Sequence, residues 1–435
     1  MEYFGNSVNI QSMSFTKTTL KNGLRIITVP MKDNATVTVM SLVEAGSNYE
    51  TKDKNGISHF LEHMCFKGTE KRPSSSMINI ELDSLGSQSN AFTGNEYTGY
   101  WAKAHHSKTE KILDIISDIY LNSEFPEGEL EKEKGVIIEE INMYEDLPRM
   151  KVGEIFEELL YGDQPAGRPV IGPKENIKKM TREDFVKYHK DHYVAKATTV
   201  VVAGKINEKK VIAQISKLFA NVSNGKKGKI EKVTEEQKKP KAKIFFKETD
   251  QTHLIIGFRA FDRYDKRNTA LSLLSTILGG GMSSRLFQKM REELGICYYV
   301  RSGKNTYTTH GNFAISAGVS NARVKEAIGG IVEEVRKIAD ELIPENEIRK
   351  AKDYLIGTMF LGLESSDSLA DFYGFQELLH DKKIQTPDDI VKKVEKITAS
   401  DIRKVAKEVL KNENFNLAMV GPFKDAGEFS PLLKI

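Results

Sequence analysis

The chain has 435 residues, of which 39% are apolar and 29% charged, and its formal net charge is +3. This length exceeds one compact domain and predicts two to four domains, and the balanced charge gives no reason to expect a nucleic-acid partner. No apolar run reaches the roughly 18 residues of a transmembrane helix, and the stretch 1–15 lacks the basic start and apolar core of a signal peptide. The two cysteines, Cys65 and Cys297, allow neither a disulfide framework nor a cysteine zinc cluster. We therefore expect no membrane association and a location in the reducing cytoplasm.

Apolar periodicity places secondary structure along the whole chain. In the first half, strands are predicted at 24–30 and 36–46, and helices around 56–66, 108–122 and 128–145. In the second half, strands are predicted at 243–249, 253–261 and 311–319, and helices around 266–278, 284–293, 322–341 and 345–362. Strands come in pairs with helices grouped between them, which favours an α+β fold of helix-covered, mainly antiparallel sheets over a doubly wound sheet.

Two segments of the chain repeat the same pattern half a chain length apart. Residues 176–204 align without a gap with residues 393–421. In each copy a threonine, Thr181 or Thr398, stands three residues before an aspartate at the start of an amphipathic helix, which is the pattern of a capping box. Each copy ends in a short apolar run closed by glycine, which predicts a buried strand. The sequence therefore predicts an internal duplication into two homologous α/β sandwich halves.

The stretch between the copies has the composition of a linker. Residues 221–241 are rich in lysine, contain glycine and proline, and have few apolar residues. The predicted organisation is a first half at 1–220, a linker at 221–241 and a second half at 242–435.

The segment HFLEH, within residues 55–68, is the first candidate for chemistry. On a helix, His59, Glu62 and His63 share the face opposite the apolar residues, and the two histidines stand one turn apart, so both can reach one cation. Glu62 cannot easily bind the same ion and would be placed to act as a general base on water. Two ordinary surface histidines remain the alternative, and a catalytic zinc would need a third protein ligand.

The third ligand is sought in the helical stretch 127–148. Glu133 and Glu140 lie two turns apart on one face of this helix. Helical spacing alone does not choose between Glu139, Glu140 and Glu145. The second half has no H-x-x-E-H motif, and its histidines are far apart in sequence, so we expect no second metal site there.

The motifs together resemble a known family. HFLEH is similar to the inverted zincin motif H-x-x-E-H and is followed by 76 residues and then Glu140. This is the spacing of the pitrilysin-type (M16, insulinase-like) zinc metallopeptidases. The chain is closest in layout to two-domain bacterial members similar to the mitochondrial processing peptidase. Further stretches resemble the family's signatures at 46–50, 66–73, 86–100, 167–177 and 279–300.

The resemblance assigns roles to individual residues. It implies one Zn²⁺ per chain, held by His59, His63 and Glu140, although this ligand set also accepts manganese or cobalt. It implies that Glu62 is the general base and that Glu133 supports the catalytic site without binding zinc. Arg291 and Tyr298 match an arginine and a tyrosine that the family brings from the C-terminal half to stabilise the scissile carbonyl. Without the family, these two would be interpreted as a surface arginine and a core tyrosine.

The resemblance also implies how substrate is bound. A peptide would add as a strand along the edge strand in 87–95, within an enclosed chamber that favours short or unfolded peptides. The expected contact residues are Gln88, Ser89, Asn90, Ala91, Phe92 and Thr93. The family builds the chamber from four homologous domains and this chain supplies two, so we expect a homodimer, with a heterodimer containing a non-catalytic homologue as the variant. The predicted function is a zinc-dependent endopeptidase, and the alternative is an inactive peptide-binding or structural homologue of the same fold.

Overall fold

The computed structural model describes residues 13–379 and 383–435. Most of the stretch assessed for a signal peptide, residues 1–12, and one histidine of the second half, His380, lie outside these ranges. The described residues form two sheets, each covered by helices, which confirms the α+β prediction.

The first sheet has six strands in the order β1-β2-β6-β3-β5-β4. Only β2 and β6 run parallel, and the other neighbours are antiparallel. The strands are β1 (Thr16–Thr19), β2 (Arg25–Pro30), β3 (Thr36–Val43), β4 (Gln88–Thr93), β5 (Thr98–His105) and β6 (Thr198–Gly204).

The second sheet has five strands in the order β7-β11-β8-β10-β9, with only β7 and β11 parallel. The strands are β7 (Lys241–Phe246), β8 (Gln251–Ala260), β9 (Cys297–Thr306), β10 (Gly311–Ser320) and β11 (Asn416–Gly421). Strands β7 to β11 take the same sheet positions, in the same chain order, as β2 to β6. This equivalence of topology confirms the predicted duplication, with β1 as an addition to the first half.

Fifteen α-helices occur among the described residues. Those of the first half are α1 (Ile57–Met64), α2 (Ser75–Ser84), α3 (Thr109–Leu121), α4 (Glu127–Asp146), α5 (Pro148–Tyr161), α6 (Lys174–Lys179), α7 (Arg182–His192) and α8 (Glu208–Leu218). Those of the second half are α9 (Asn268–Gly279), α10 (Arg285–Phe287), α11 (Val324–Asp340), α12 (Glu345–Leu361), α13 (Ser366–Leu379), α14 (Pro387–Glu395) and α15 (Ala399–Val409).

Local sequence signals set several of these boundaries. Capping boxes start α7 at Thr181 and α15 at Thr398, as the repeat predicts. The helix predicted at 284–293 is α-helical only to Phe287 and continues as a π-helix over Gln288–Glu293. The predicted linker has no helix or strand until its last residue, Lys241, which begins β7. The domain boundaries themselves stay a prediction.

The two halves exchange a helix. Helix α5 belongs to the first half in sequence but packs on β8 and β11 of the second sheet, while α13 of the second half packs on β3 and β6 of the first. The Phe156 ring of α5 packs directly against Gly257, because a Cβ atom at position 257 would lie only 2.2 Å from the ring. On the other side, Gly374 brings α13 close to Leu42 and Val201. Each sheet therefore buries one face under a helix supplied by the other half.

The apolar faces of the helices pack on the sheets. None of the helices in the described ranges is both long and apolar enough to cross a membrane.

Candidate metal centre

Helix α1 is fixed at its start by a buried carboxylate. Glu50 accepts hydrogen bonds from the backbone N–H groups of Gly56 and Ser58, both at 2.8 Å, which satisfies donors that a helix start leaves free. Gly56 has φ of 102°, and a side chain there would meet the Ile171 carbonyl at 2.7 Å. The apolar face of α1, including Phe60, is buried in the first core. His59 and His63 are therefore turned towards α4.

Three donor atoms meet between α1 and α4. Oε2 of Glu140 lies 3.7 Å from Nε2 of His59 and 3.7 Å from Nε2 of His63. These gaps are too long for hydrogen bonds but suit atoms that share an ion, because ligands about 2.0–2.1 Å from a tetrahedral zinc stand about 3.4 Å apart. Within the described ranges, this is the one group of three such residues whose ligand atoms all lie within 4.8 Å of one another. Two imidazoles and a carboxylate fit a catalytic zinc site.

Helix α4 places Glu140 beside the two histidines, and neither of the other two candidate carboxylates lies there. Glu139 is exposed, and Glu145 pairs with Lys174 at 2.8 Å. Of the three carboxylates that helical spacing left open, Glu140 is the one placed beside both histidines, and its role as a ligand stays a prediction.

Glu133 contacts the His63 ring on its Nδ1 side. Its Oε1 lies 2.9 Å from Nδ1 of His63, and its Oε2 pairs with Lys67 at 2.6 Å. Burial opposes ionisation of Glu133, but the hydrogen bonds to His63 and Lys67 hold its pKa below the usual value. Burial also acts against protonation of His63, yet the Glu133 hydrogen bond and the nearby carboxylates raise its pKa. A proton on Nδ1 leaves Nε2 of His63 facing Glu140 as a free ligand atom.

The surroundings of His59 act on its pKa in the opposite direction. Burial, together with the nearby His63, lowers its pKa to about 3, so the ring is neutral at pH 7. A neutral imidazole is the form that binds a metal. Its Nδ1 is buried without a hydrogen-bond partner among the described residues.

Glu62 lies between the three ligands and strand β4. Its side chain is buried, and its Oε2 accepts a hydrogen bond of 2.5 Å from the hydroxyl of Thr93. Burial raises the pKa of Glu62, and the Thr93 hydrogen bond opposes that rise. Glu62 stands outside the ligand group. A buried carboxylate beside the ligands, with a raised pKa, can take a proton from water near neutral pH.

Strand β4 is the edge of the first sheet, and among the described residues only β5 pairs with it. The first three residues, Gln88 to Asn90, are exposed, and the last three, Ala91 to Thr93, are half-buried. The Ala91 N–H donates to the Asn90 side chain at 2.9 Å rather than to β5. Along an antiparallel strand, the backbone N–H and C=O groups of successive residues point alternately to the two sides of the strand. The backbone groups of Ser89, Ala91 and Thr93 therefore face the open edge. Binding of substrate to these residues stays a prediction.

Arg291 and Tyr298 lie together but away from the ligands. Arg291, in the π-helical turn, donates to the Tyr298 carbonyl and lies 5.3 Å from the centre of the Tyr298 ring. Tyr298 is 73% exposed, so it is not a core tyrosine. No contact among the described residues joins this pair to His59, His63 or Glu140. Their role at the scissile carbonyl stays a prediction.

Sequence reasoning did not find three residues that shape the site. Lys67 holds Glu133, and its position four residues after His63 was an available signal. Burial and then Glu140 raise the pKa of Tyr144, which lies one helical turn after Glu140 on α4. Glu50 lies within a stretch that matched the family, but its contact with the start of α1 is a tertiary feature that residue spacing does not reveal.

Comparison with protein families matches both halves of the chain. Residues 25–174 match the family described as Insulinase (Peptidase family M16), and residues 179–355 match the Peptidase M16 inactive domain. An uncharacterized zinc protease of Streptomyces coelicolor is 33% identical over 420 residues, covering 94% of this chain and 90% of the relative. The uncharacterized zinc protease YmxG of Bacillus subtilis is 34% identical over 408 residues, covering 93% of this chain and 97% of the relative.

Solved structures share the architecture. A protease from Helicobacter pylori superposes with a TM-score of 0.87 at 25% identity, covering 94% of this chain and all of that one. A Pseudomonas fluorescens structure described as a peptidase M16 inactive domain has a TM-score of 0.84 at 19% identity, covering 94% and 98% of the two chains, and supports the fold alone.

Proposed function

We propose that this chain, which belongs to the M16 (insulinase) family of peptidases, is a zinc-dependent endopeptidase acting on peptides that bind as an added strand. The observation that carries this proposal is the position of Glu62. It stands beside His59, His63 and Glu140 and is hydrogen-bonded to Thr93 of the edge strand. One carboxylate thus links a metal-binding group to a surface that can hold a peptide backbone.

The residues of the chain divide the chemistry between them. One zinc ion, held by His59, His63 and Glu140, would polarise the peptide carbonyl and acidify water. Glu62 would accept the proton from the attacking water and deliver it to the leaving amine. Glu133 would keep the His63 ring in the orientation that presents Nε2.

The substrate would extend the first sheet by one strand. The small side chains of Ser89 and Ala91 leave room for a peptide backbone, and a substrate carbonyl would replace Asn90 as the acceptor for the Ala91 N–H. A bound strand along Gln88, Ser89, Asn90, Ala91, Phe92 and Thr93 requires an extended substrate. We therefore expect short or unfolded peptides, cleaved inside an enclosed chamber, to be preferred over folded proteins.

A second chain would complete the chamber. Strand β9 ends at Thr306 and leads into a turn where Thr308 contacts Glu96 of the first half. At about 3.3 Å per residue, Tyr298 lies about 26 Å along β9 from Thr306. Arg291 and Tyr298 lie at the end of β9 away from this contact, and we expect them to act on a peptide bound to a second copy. A homodimer fits this arrangement, with a heterodimer containing a non-catalytic homologue as the variant. A cytoplasmic location remains an expectation from the sequence.

The test compares wild type with Glu62→Gln for zinc content and for cleavage of a quenched unfolded peptide. We expect both proteins to bind about one zinc per chain and only the wild type to cleave. Absence of zinc from the wild type, or equal cleavage by Glu62→Gln, would contradict the proposal and favour the inactive peptide-binding alternative.

A further inference from the structure

A cavity of about 1030 Å³ lies in the second half, and none of its walls belongs to the metal centre or to β4. Its lining consists of Lys304, Phe372 and residues that lie within the stretches 263–272, 355–359 and 383–397. This volume is at the upper end of the range of pockets that bind small organic molecules. Nothing in the proposed peptidase chemistry uses this cavity.

The lining is strongly cationic. Its two carboxylates are already engaged, since Asp265 pairs with Arg267 and Asp389 accepts the Thr386 N–H in the capping box of α14. The cationic side chains of the lining are those of Arg263, Lys266, Lys304, Lys383, Lys392, Lys393 and Lys396. None of them has a carboxylate within ion-pair distance among the described residues. The lining therefore carries an excess of positive charge over negative charge.

Two of these groups lie deeper than the others and have free donors. Lys304 donates one hydrogen bond, to the Asn268 carbonyl at 3.1 Å, which leaves two of its three N–H donors without a partner in the described chain. Burial, with a smaller effect of Arg263, lowers the pKa of Lys304 to about 8. Nε of Arg263 is buried and has no hydrogen-bond partner among the described residues. Burying two like charges with unused donors is unfavourable, and a bound anion would relieve both costs.

Part of the lining is apolar, which distinguishes the cavity from a site for a simple inorganic ion. The apolar side chains include Leu355, Met359, Phe372, Ile384 and Ile390. A lining that combines aromatic and aliphatic side chains with cationic ones suits a ligand with an apolar or planar part and a charged end.

We propose that this cavity binds a phosphorylated small organic molecule of nucleotide size. Its phosphates lie against Lys304 and Arg263, with the exposed lysines of 392–396 around them. Its organic part lies against Met359 and Phe372. This binding is independent of the peptidase activity proposed above.

The test is calorimetric titration of the full chain with ADP and, separately, with inorganic pyrophosphate. Wild type should bind both, and ADP more tightly, because only ADP also contacts the apolar wall. Lys304→Met, which keeps the length of the side chain and removes its charge, should weaken ADP binding by about tenfold or more. Lys393→Gln, on an exposed helix position, should weaken it by about two- to fivefold.

Lys407→Gln is the matched control, because Lys407 is an exposed lysine of α15 outside the cavity. It should bind ADP like the wild type. Binding of ADP to a metal ion held at His59 and His63 would be the same in all of these proteins. It therefore cannot cause a difference in ADP binding between the variants. The proposal is overturned if the wild type binds neither compound, or if Lys304→Met and Lys393→Gln bind ADP as the wild type does. If pyrophosphate binds as tightly as ADP, the organic part of the proposal is wrong.

Discussion

Glu133 is expected to set the strength of the metal site without being a ligand itself. Its carboxylate holds His63 on one side and Lys67 on the other. Replacing it by glutamine leaves the volume unchanged but removes the charge that fixes the His63 ring. We expect Glu133→Gln to weaken zinc binding by about 10- to 100-fold, measured by competition with a chromophoric chelator. Glu139→Gln, an exposed change on the same helix, should leave zinc affinity unaltered, and an equal loss in both variants would contradict this role.

Thr93 is expected to tune the acidity of the general base. Its hydroxyl stabilises the ionised form of Glu62, whose pKa burial raises. Removing this donor in Thr93→Val should raise the pKa of Glu62 further. Because the base must be ionised to act, activity is lost as pH falls through that pKa, so the acid limb of kcat/KM should move up by about one pH unit.

The control for this change is Thr93→Ser, which keeps the hydroxyl and should retain the wild-type profile. An acid limb that stays in place in Thr93→Val would show that Glu62 is not the group titrating there.

At the scale of single residues, the sequence was sufficient to predict relative positions wherever the residues belong to one helix. His59, Glu62 and His63 could be placed on one face because their relation depends only on helical geometry. The choice of Glu140 over Glu139 depends on where α4 crosses α1, which is a tertiary contact. The family resemblance supplied that choice, and helical spacing did not. Arg291 and Tyr298 remain untested because their proposed role depends on contacts that the described chain does not make.

Among the elements, β4 has the most direct link to function. Proline at Ala91 would remove an N–H that faces the open edge and is not used in pairing with β5, so the sheet should tolerate it. A substrate strand would lose that donor and meet the proline ring. We expect Ala91→Pro to lower peptide cleavage by about ten- to a hundredfold, with zinc content and circular dichroism unchanged.

Ala91→Ser keeps the N–H and should cleave at close to the wild-type rate. Full activity in Ala91→Pro would show that catalysis does not need strand addition at this edge.

The positions of many helices and strands could be predicted from the sequence, but the sheet that each helix covers could not. Period-two and period-3.6 patterns located many of the helices and strands because each buries one face, but α5 and α13 were not among the predicted helices. Those patterns also cannot say which sheet an apolar helix face covers, so the crossing of these two helices between the halves was not predicted. The π-helical turn after Phe287 likewise has no signature in apolar spacing.

For the whole molecule, the helix exchange should make folding of the two halves inseparable. Phe156 lies on the second sheet, whereas Trp101, the single tryptophan, lies on β5 of the first. Phe156→Ala should cost about 3–5 kcal/mol of unfolding free energy. If the halves unfold together, the urea midpoint seen by Trp101 fluorescence should fall as far as the midpoint seen by circular dichroism.

The control is Leu361→Ala, which changes a 71% exposed leucine of α12 and should alter stability by less than about 0.5 kcal/mol. A Trp101 midpoint that does not move in Phe156→Ala would mean that the first half unfolds by itself.

The reciprocal placement of α5 and α13 also has a bearing on ancestry. Before a gene duplication joined the halves, a protein with one half per chain would have left one sheet face bare unless a second copy covered it. Two such chains could cover each other by trading a helix around a twofold axis, as domain-swapped dimers do. Fusing the two genes through a lysine-rich connector would then have turned a contact between molecules into one within a molecule. Only one copy would thereafter need a metal site, because the other could still supply its helix without one.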